Sequence, residues 1–150
     1  MSGPQIKDAR TDSEIEGCFD VMLELRSNLE RSDFLTTVRS MEPDGFRLAY
    51  LEDDGRVVTV AGYRIYTTLF TGKNLYVDDL VTSEAARSRG FGRQMLDWLR
   101  EKARSEGCMH FRLDSGVWRS RAHRFYFQQG LTIAAFSFSE SLDSRDSNGD

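Results

Sequence analysis

The sequence contains few of the residues that mark an extracellular, membrane-bound or metal-bound protein. Its two cysteines, Cys18 and Cys108, lie far apart in a predicted helix and a predicted strand, which is typical of buried free thiols rather than of a disulfide framework. No apolar run approaches membrane-spanning length, and the amino-terminal residues lack the apolar core of a signal peptide. We therefore expect a cytoplasmic protein with no membrane partner.

The sequence also lacks a surplus of charge of one sign. Charged residues make up 29% of the chain, but they nearly cancel and leave a formal net charge of −4. Nucleic-acid-binding proteins usually carry a basic surplus, so no nucleic-acid partner is expected. Two local basic clusters, at 87–93 and 119–124, can still serve one anionic ligand. His110 and His123 lack the cysteine or carboxylate spacing of a metal site, so no metal is expected.

The hydrophobic periodicity predicts one α/β domain over residues 1–139, followed by a polar tail at 140–150 that is expected to be disordered. The predicted elements, in chain order, are a strand at 5–9, a helix from Thr11 or Ser13 to Leu25, a helix through 34–41, strands at 46–51 and 57–66 joined by the turn 53–55, a strand at 75–82, a helix from 91 to about 106, a strand at 109–113, a short helix at 119–128 and a strand at 131–139.

The middle of the chain shows the clearest pattern. Apolar and β-branched residues predict a strand over 75–82, interrupted by the acidic pair Asp78–Asp79. Apolar residues at three- and four-residue spacing then predict a helix that begins near Phe91 and ends before Gly107. A cationic, glycine-containing loop at 87–92 joins the strand to the helix.

This loop has the chemistry of a phosphate-binding site. The first turn of a helix has backbone N–H groups without intrahelical partners, and its dipole favours negative charge. Glycines at 90 and 92 allow close approach to the backbone. The alternative is that Gly90 only turns the chain and that the nearby arginines are solvated. The loop does not match the dinucleotide-binding fingerprint, because Met95 occupies the position of its third glycine, and it does not match a Walker loop.

The element order and this loop together resemble the GNAT superfamily of acyl-CoA-dependent N-acetyltransferases. The family signature Q/R-x-x-G-x-G/A is matched by Arg87, Gly90 and Gly92. A second family feature is an alanine, a tyrosine and a glycine at four-residue spacing, followed by an apolar residue. Its members in this chain are Ala122, Tyr126, Gly130 and Leu131.

The resemblance covers roughly residues 4–139 and has two departures. Many family members have asparagine where this chain has Arg119, and proline often stands at the position of Glu84. The first change alters contacts near the pantetheine or phosphate end of the cofactor. The implied fold is a mixed, mostly antiparallel α/β (α+β) sheet of six to seven strands with about four flanking helices, splayed between the fourth and fifth strands.

The resemblance also implies the binding mode of acetyl-CoA, the acyl donor. Backbone of the central strand is expected to hold the pantetheine arm and the acetyl carbonyl, while the loop holds the pyrophosphate. Two residues of the short helix are candidates for the remaining phosphates. The implied cofactor-binding residues are Leu80, Val81, Thr82, Arg87, Ser88, Arg89, Gly90, Phe91, Gly92, Arg93, Arg119 and His123.

Three side chains are candidates for catalysis. In the family, a tyrosine at the position of Tyr126 donates a proton to the departing thiolate. A carboxylate can take the proton of the acceptor amine, and Asp78 and Asp79 precede the cofactor-binding segment. Strand alternation predicts that these two side chains point to opposite faces, and their spacing to the loop slightly favours Asp78 as the base. The alternative is that both carboxylates are structural or only attract a cationic substrate.

These observations predict an acetyl-CoA-dependent N-acetyltransferase acting on the primary amine of a small molecule or peptide. A non-catalytic acyl-CoA-binding or sensor module on the same fold is the main alternative, and an unrelated nucleotide-binding domain is a third. The resemblance also favours a homodimer formed through sheet edges or C-terminal strands. The identity of the acceptor stays open, because Asp78, Asp79 and Asp114 suit a cation whereas Arg64, Arg112 and Arg119 suit a carboxylate.

Overall fold

A computed structural model describes residues 3–143. These residues form two units, the first ending at Leu113 and the second beginning at Asp114. The helices and strands of the first unit are β1 (Gln5–Asp8), α1 (Asp12–Glu16), α2 (Phe19–Leu25), α3 (Arg31–Met41), β2 (Arg47–Asp53), β3 (Arg56–Thr68), β4 (Gly72–Thr82), α4 (Phe91–Ser105) and β5 (His110–Leu113). The second unit contains α5 (Ser120–Gln128). The predicted tail at 140–150 lies mostly outside the described residues.

The strands form one mixed sheet in the order β1-β2-β3-β4-β5. The first four strands pair antiparallel as a meander, and the β2–β3 turn is the predicted one. Helix α4 crosses over from β4 to β5, which pairs parallel to β4 as a strand–helix–strand connection requires. The predicted mixed, mostly antiparallel α/β architecture is therefore confirmed.

Two predictions about the elements are wrong. We predicted six to seven strands, but residues 3–143 contain five, because the segment 131–139 forms no strand. Alternating apolar residues form a strand only where a neighbouring strand pairs with them. Ile133 and Phe136 are 68% and 78% exposed. The helix predicted from Thr11 or Ser13 to Leu25 is instead divided into α1 and α2 at Gly17 and Cys18.

The sheet of the first unit buries a hydrophobic cluster on each face. On one face, α1, α2 and α3 contribute Ile15, Phe19 and Phe34 among others. On the other face, Met95 and Leu99 of α4 are fully buried against the sheet, as the apolar spacing predicted. The sheet is therefore held between helices, and β4 lies within it between β3 and β5.

Several smaller features agree with the sequence. Thr11 accepts from the Glu14 backbone N–H while the Glu14 side chain accepts from the Thr11 backbone, a capping box that begins α1. Cys18 and Cys108 are both free thiols, and burial raises the pKa of Cys18 to about 12. None of the helices formed by residues 3–143 is long and apolar enough to cross a membrane.

Candidate active site

The loop between β4 and α4 exposes a row of unpaired backbone donors. Gly90 is the N-cap of α4 with φ 82°, and Ser88 also has a positive φ, of 67°. The first amide to bond back into the helix is that of Gln94, which donates to the Gly90 carbonyl at 3.1 Å. The N–H groups of Phe91, Gly92 and Arg93 precede this bond, so they have no partner within the helix. This arrangement fits a pyrophosphate, because such donors and the helix dipole both favour an anion.

The three arginines of the loop differ in their contacts. Arg89 pairs with Asp53 at 3.3 Å, and its guanidinium lies 4.8 Å from the centre of the Phe91 ring. Arg93 pairs with Asp97 at 3.9 Å along the exposed face of α4. Arg87 is exposed and forms no ion pair with any residue in 3–143. It is the loop cation that is most readily available to an anionic ligand.

The edge of β4 next to the loop is open on one side. The parallel pairing with β5 consists of four residue pairs and ends where Val77 faces Leu113. Leu80, Val81 and Thr82 pair with β3 on the other side, so within residues 3–143 their β5-facing side has no strand partner. An extended ligand can pair with such an edge in the manner of an added strand, which fits the pantetheine arm.

A β-bulge in β4 determines where the two aspartates point. Gly62 faces Asp79 and Tyr63 faces Val77, so Asp78 is an extra residue without a partner in β3. A bulge interrupts the alternation of side chains. As a result, Asp78 and Asp79 both line one cleft on the same face of the sheet. The expectation that they point to opposite faces is wrong, because simple strand alternation does not include the bulge.

This cleft has a volume of about 490 Å³ and combines acidic, basic and aromatic side chains. The Arg26 Nε donates to Asp79 Oδ1 at 2.8 Å, and the Arg26 Nη2 donates to the Asp78 carbonyl oxygen at 3.0 Å. The Arg64 Nε donates to Asp78 Oδ2 at 2.9 Å. The residues that line the cleft are Arg26, Met41, Arg64, Tyr66, Tyr76, Asp78 and Asp79.

The Asp78 carboxyl group is incompletely paired. Its Oδ1 is buried and has no hydrogen-bond partner among the described residues. Burial raises the pKa of Asp78, and the Arg64 guanidinium opposes this shift only in part. A buried acceptor without a hydrogen-bond partner lowers the stability of the folded protein, and such groups are common at functional sites.

Sequence reasoning missed Arg26 as part of this site. It is the C-terminal capping residue of α2 and lies 53 positions before the Asp79 to which it donates. An arginine at the end of an amphipathic helix is usually solvated, so no local pattern identified it. Gly62 was also missed: a Cβ at this position would lie 2.5 Å from Asp79 Oδ2.

The second unit contains the remaining predicted residues on or beside α5. Tyr126 is half-buried, its ring centre is 5.5 Å from that of Phe125, and burial raises the pKa of its phenol. The Nε2 of His123 lies 2.8 Å from the Gly116 carbonyl oxygen, so this histidine orients the segment that leads into α5. Arg119 is the N-cap residue of α5. By helical spacing, Arg119, His123 and Tyr126 follow one side of the helix.

The meander, the open edge of β4 and the donor-rich turn into α4 define an acyl-CoA-dependent transferase fold. The chain matches the model of the acetyltransferase (GNAT) family over residues 9–131 and belongs to that family. It is therefore an acyltransferase, and acetyl-CoA is its acyl donor.

Individual proteins agree with this assignment. The chain is 29% identical to an uncharacterised N-acetyltransferase, YhdJ, of Bacillus subtilis over 135 residues, which covers 89% of this chain and 95% of the relative. It is 25% identical to the thialysine N-epsilon-acetyltransferase of Mus musculus, with 88% of each chain covered. Among solved structures, an aminoglycoside N-acetyltransferase, AAC(6')-Iy, in complex with CoA has the same fold, with a TM-score of 0.82, 13% identity and coverage of 94% and 95%.

Proposed function

We propose that this enzyme transfers an acetyl group directly to the primary amine of a small molecule, with Asp78 as the proton acceptor and Tyr126 as the proton donor. The observation that carries the proposal is the bulge in β4. It directs the incompletely paired Asp78 carboxyl group into a cleft, and the open strand edge begins two residues later at Leu80.

The residues for the acyl donor follow from the unpaired backbone groups. The N–H groups from Ser88 to Arg93 would hold the pyrophosphate, and the exposed Arg87 would add a positive charge. The free side of Leu80–Thr82 would hold the pantetheine arm. When bound, acetyl-CoA supplies an acetyl group that is activated as a thioester.

Asp78 is proposed to prepare the acceptor. An alkylamine is mostly protonated at neutral pH and has no free electron pair in that form. The raised pKa of Asp78 makes this carboxylate a better proton acceptor than an ordinary aspartate. One proton of the ammonium group passes to Asp78 directly or through water. The amine nitrogen then bonds to the acetyl carbon as the carbon–sulfur bond breaks, and the second proton that this nitrogen loses passes to solvent. Asp79, held by Arg26, is proposed to position Asp78 rather than to move a proton.

Tyr126 is proposed to protonate the leaving thiolate. The sulfur leaves with a negative charge, and a phenol can supply the proton. A tyrosine phenol ordinarily has a pKa of about 10, and burial raises that of Tyr126 further, so its hydroxyl is protonated at neutral pH. The support for this role is the matching tyrosine of the family together with that protonation state.

The relatives favour a small-molecule acceptor over a peptide. The mouse relative is named for thialysine, a small molecule with a side-chain amine. The cleft beside Asp78, at about 490 Å³, has a volume suited to an acceptor of that size.

A thiol-release assay with a panel of primary amines tests this proposal. We expect acetyl-CoA-dependent thiol release with at least one small amine. The Tyr126→Phe variant should lower kcat by about 10²-fold or more while leaving CoA affinity unchanged. Tyr50→Phe is the matched control, because it also removes a phenol hydroxyl, one that contacts Glu14 at 3.2 Å, and should retain wild-type turnover. If CoA affinity and turnover fall together in Tyr126→Phe, the proposed role of Tyr126 is wrong.

A further inference from the structure

The cleft around Asp78 is balanced in charge. It contains two arginines, Arg26 and Arg64, and two aspartates, Asp78 and Asp79, joined as two ion pairs with N–O distances of 2.8 Å and 2.9 Å. A site that selects a simple cation would carry a surplus of carboxylates. Here the formal charges cancel, so a ligand with both a positive and a negative group fits the field of the cleft better than a ligand with either charge alone.

The two arginines are used differently. Both hydrogen bonds of Arg26 go to the bulge: its Nε donates to the Asp79 carboxylate, and its Nη2 donates to the Asp78 carbonyl oxygen. Arg64 commits only its Nε, to Asp78 Oδ2, and its guanidinium is supported by the Phe46 ring at 5.5 Å. Within residues 3–143, neither Nη group of Arg64 has a hydrogen-bond partner. Arg26 therefore stabilises the bulge, whereas Arg64 keeps a pair of planar donors for a ligand.

The unpaired groups of the cleft are thus of both kinds. Asp78 Oδ1 is a buried acceptor without a donor, and the Nη groups of Arg64 are donors without an acceptor. A ligand with an amine alone would leave the Arg64 donors unused, and a ligand with an anion alone would leave Asp78 Oδ1 unpaired. Guanidinium groups bind carboxylates and phosphonates through two parallel hydrogen bonds, which suits the two Nη atoms.

We propose that the acceptor is a small zwitterion whose primary amine binds Asp78 and whose oxyanion binds the Nη groups of Arg64. Because Arg64 donates directly to Asp78, the amine and the oxyanion of the acceptor lie only a few bonds apart. Arg64 is then the residue that determines acceptor specificity. This inference rests on the proposed N-acetyltransferase activity, since it identifies the acceptor of that same reaction.

The test compares acceptors that share an amine but differ in the second group. β-Alanine carries a carboxylate, 2-aminoethylphosphonate carries a phosphonate, and β-alaninamide carries a neutral amide. We expect wild-type kcat/KM for at least one of the two anionic acceptors to exceed that for the amide by about tenfold or more. The amine of β-alaninamide is less basic than the amines of the two anionic acceptors, so a larger fraction of it is in the neutral, reactive form. This difference alone would make the amide the better acceptor, which is the opposite of the expected result. The stronger of the two anionic acceptors identifies the oxyanion.

Variants assign the preference to Arg64. Arg64→Gln keeps an N–H donor for Asp78 but removes the charge, and it should reduce the preference to near unity. Arg104→Gln is the matched control, because Arg104 is an exposed arginine of α4 that contacts Glu101 at 3.4 Å, and it should keep the wild-type preference. A preference that is unchanged in a folded Arg64→Gln protein overturns the proposal. The wild-type comparison alone also overturns it if the amide is the better acceptor, so the test does not depend on the folding of the variant.

A binding measurement separates this inference from the proposed function. Each of the three compounds is titrated calorimetrically into the protein saturated with CoA. Transfer to the amide at a rate equal to or above that of the zwitterions overturns the zwitterion proposal and leaves the N-acetyltransferase proposal intact. Tighter binding of the zwitterions without transfer to any amine supports the cleft assignment and overturns the proposed reaction. If the protein shows no selective binding and no transfer, both proposals are overturned.

Discussion

At the scale of single residues, Asp78 and Asp79 differ in the use of their carboxylate oxygens. The Asp79 carboxylate is held by Arg26 at 2.8 Å, whereas Asp78 receives one bond from Arg64 and keeps Oδ1 buried without a partner. A buried, half-satisfied carboxylate destabilises its own ionised form, which is why the pKa of Asp78 is raised. The group proposed for catalysis is therefore one that the folded protein keeps at the expense of stability.

This difference predicts opposite effects on activity and stability. Asp78→Asn should lower kcat/KM by about 10²-fold or more, because the amide does not accept the amine proton. Since the folded pKa of Asp78 lies above its ordinary value of 3.8, the wild type loses stability as the pH rises from the ordinary value through the folded one. The melting temperature of Asp78→Asn relative to the wild type should therefore increase between pH 4 and pH 7.

Differential scanning calorimetry at both pH values measures this change. Asp97→Asn is the control: its side chain is 57% exposed on α4, and the variant should show neither effect. A relative melting temperature that falls between pH 4 and pH 7 in Asp78→Asn would mean that the pairing with Arg64 dominates over burial.

At the scale of elements, the bulge in β4 decides what the cleft contains. It lets two consecutive residues, Asp78 and Asp79, share one face, and Gly62 on β3 leaves the space that the Asp79 carboxylate occupies. A Cβ at position 62 would lie 2.5 Å from Asp79 Oδ2 and 2.7 Å from two atoms of the Phe46 ring. The same ring supports Arg64, so one side chain atom at this position disturbs both ion pairs of the cleft.

Gly62→Ala should therefore lower both stability and activity. We expect a loss of about 1–3 kcal/mol in the free energy of unfolding, as for other overpacked sites, with an increase in the KM for the acceptor and little change in CoA affinity. Urea denaturation and steady-state kinetics measure these quantities. Gly3→Ala is the control, because a Cβ there meets no atom within 4 Å. Wild-type stability and acceptor KM in Gly62→Ala would show that the bulge tolerates displacement of Asp79.

Local sequence patterns predict helices, strands and turns better than they predict a bulge within a strand or a contact between distant residues. The periodicity of α4, the β2–β3 turn and the loop at 87–92 follow from local patterns, and the structure confirms these elements. The bulge at Asp78 depends on how β3 pairs with β4, and the contact of Arg26 with Asp79 joins residues 53 positions apart. Neither has a local signal. The segment 131–139 shows the opposite error, since it has the pattern of a strand but no partner strand in the described chain.

At the scale of the whole molecule, exposed apolar side chains are relevant to whether the protein forms a dimer. In the segment predicted as the last strand, Ile133, Phe136 and Phe138 are 68%, 78% and 93% exposed. In the first unit, β5 is an edge strand of the sheet. Clusters of exposed apolar residues and open sheet edges are features that interfaces cover. Both support the predicted homodimer, which stays a prediction.

Size-exclusion chromatography with light scattering tests the dimer. We expect a mass near twice the 17.2 kDa of the single chain at micromolar concentrations. Replacing Phe136 and Phe138 together by serine should shift the protein toward the monomer, because it removes apolar area that the dimer would bury. The control replaces Leu69 and Phe70, which are also exposed but lie in the β3–β4 turn. A monomer mass that does not change with concentration in the wild type contradicts the prediction.

Calorimetric titration of acetyl-CoA into the wild type and into Gly90→Glu tests the assignment of the cofactor loop most directly. Gly90 has φ 82° at the start of α4, so glutamate there adds strain and a negative charge beside the proposed pyrophosphate site. Gly107→Glu adds the same side chain at φ 76° beyond the other end of α4, and it controls for strain and charge alone. Micromolar binding by the wild type and Gly107→Glu, lost in folded Gly90→Glu, is the predicted result. Equal binding by all three proteins, or none by the wild type, would contradict the loop assignment.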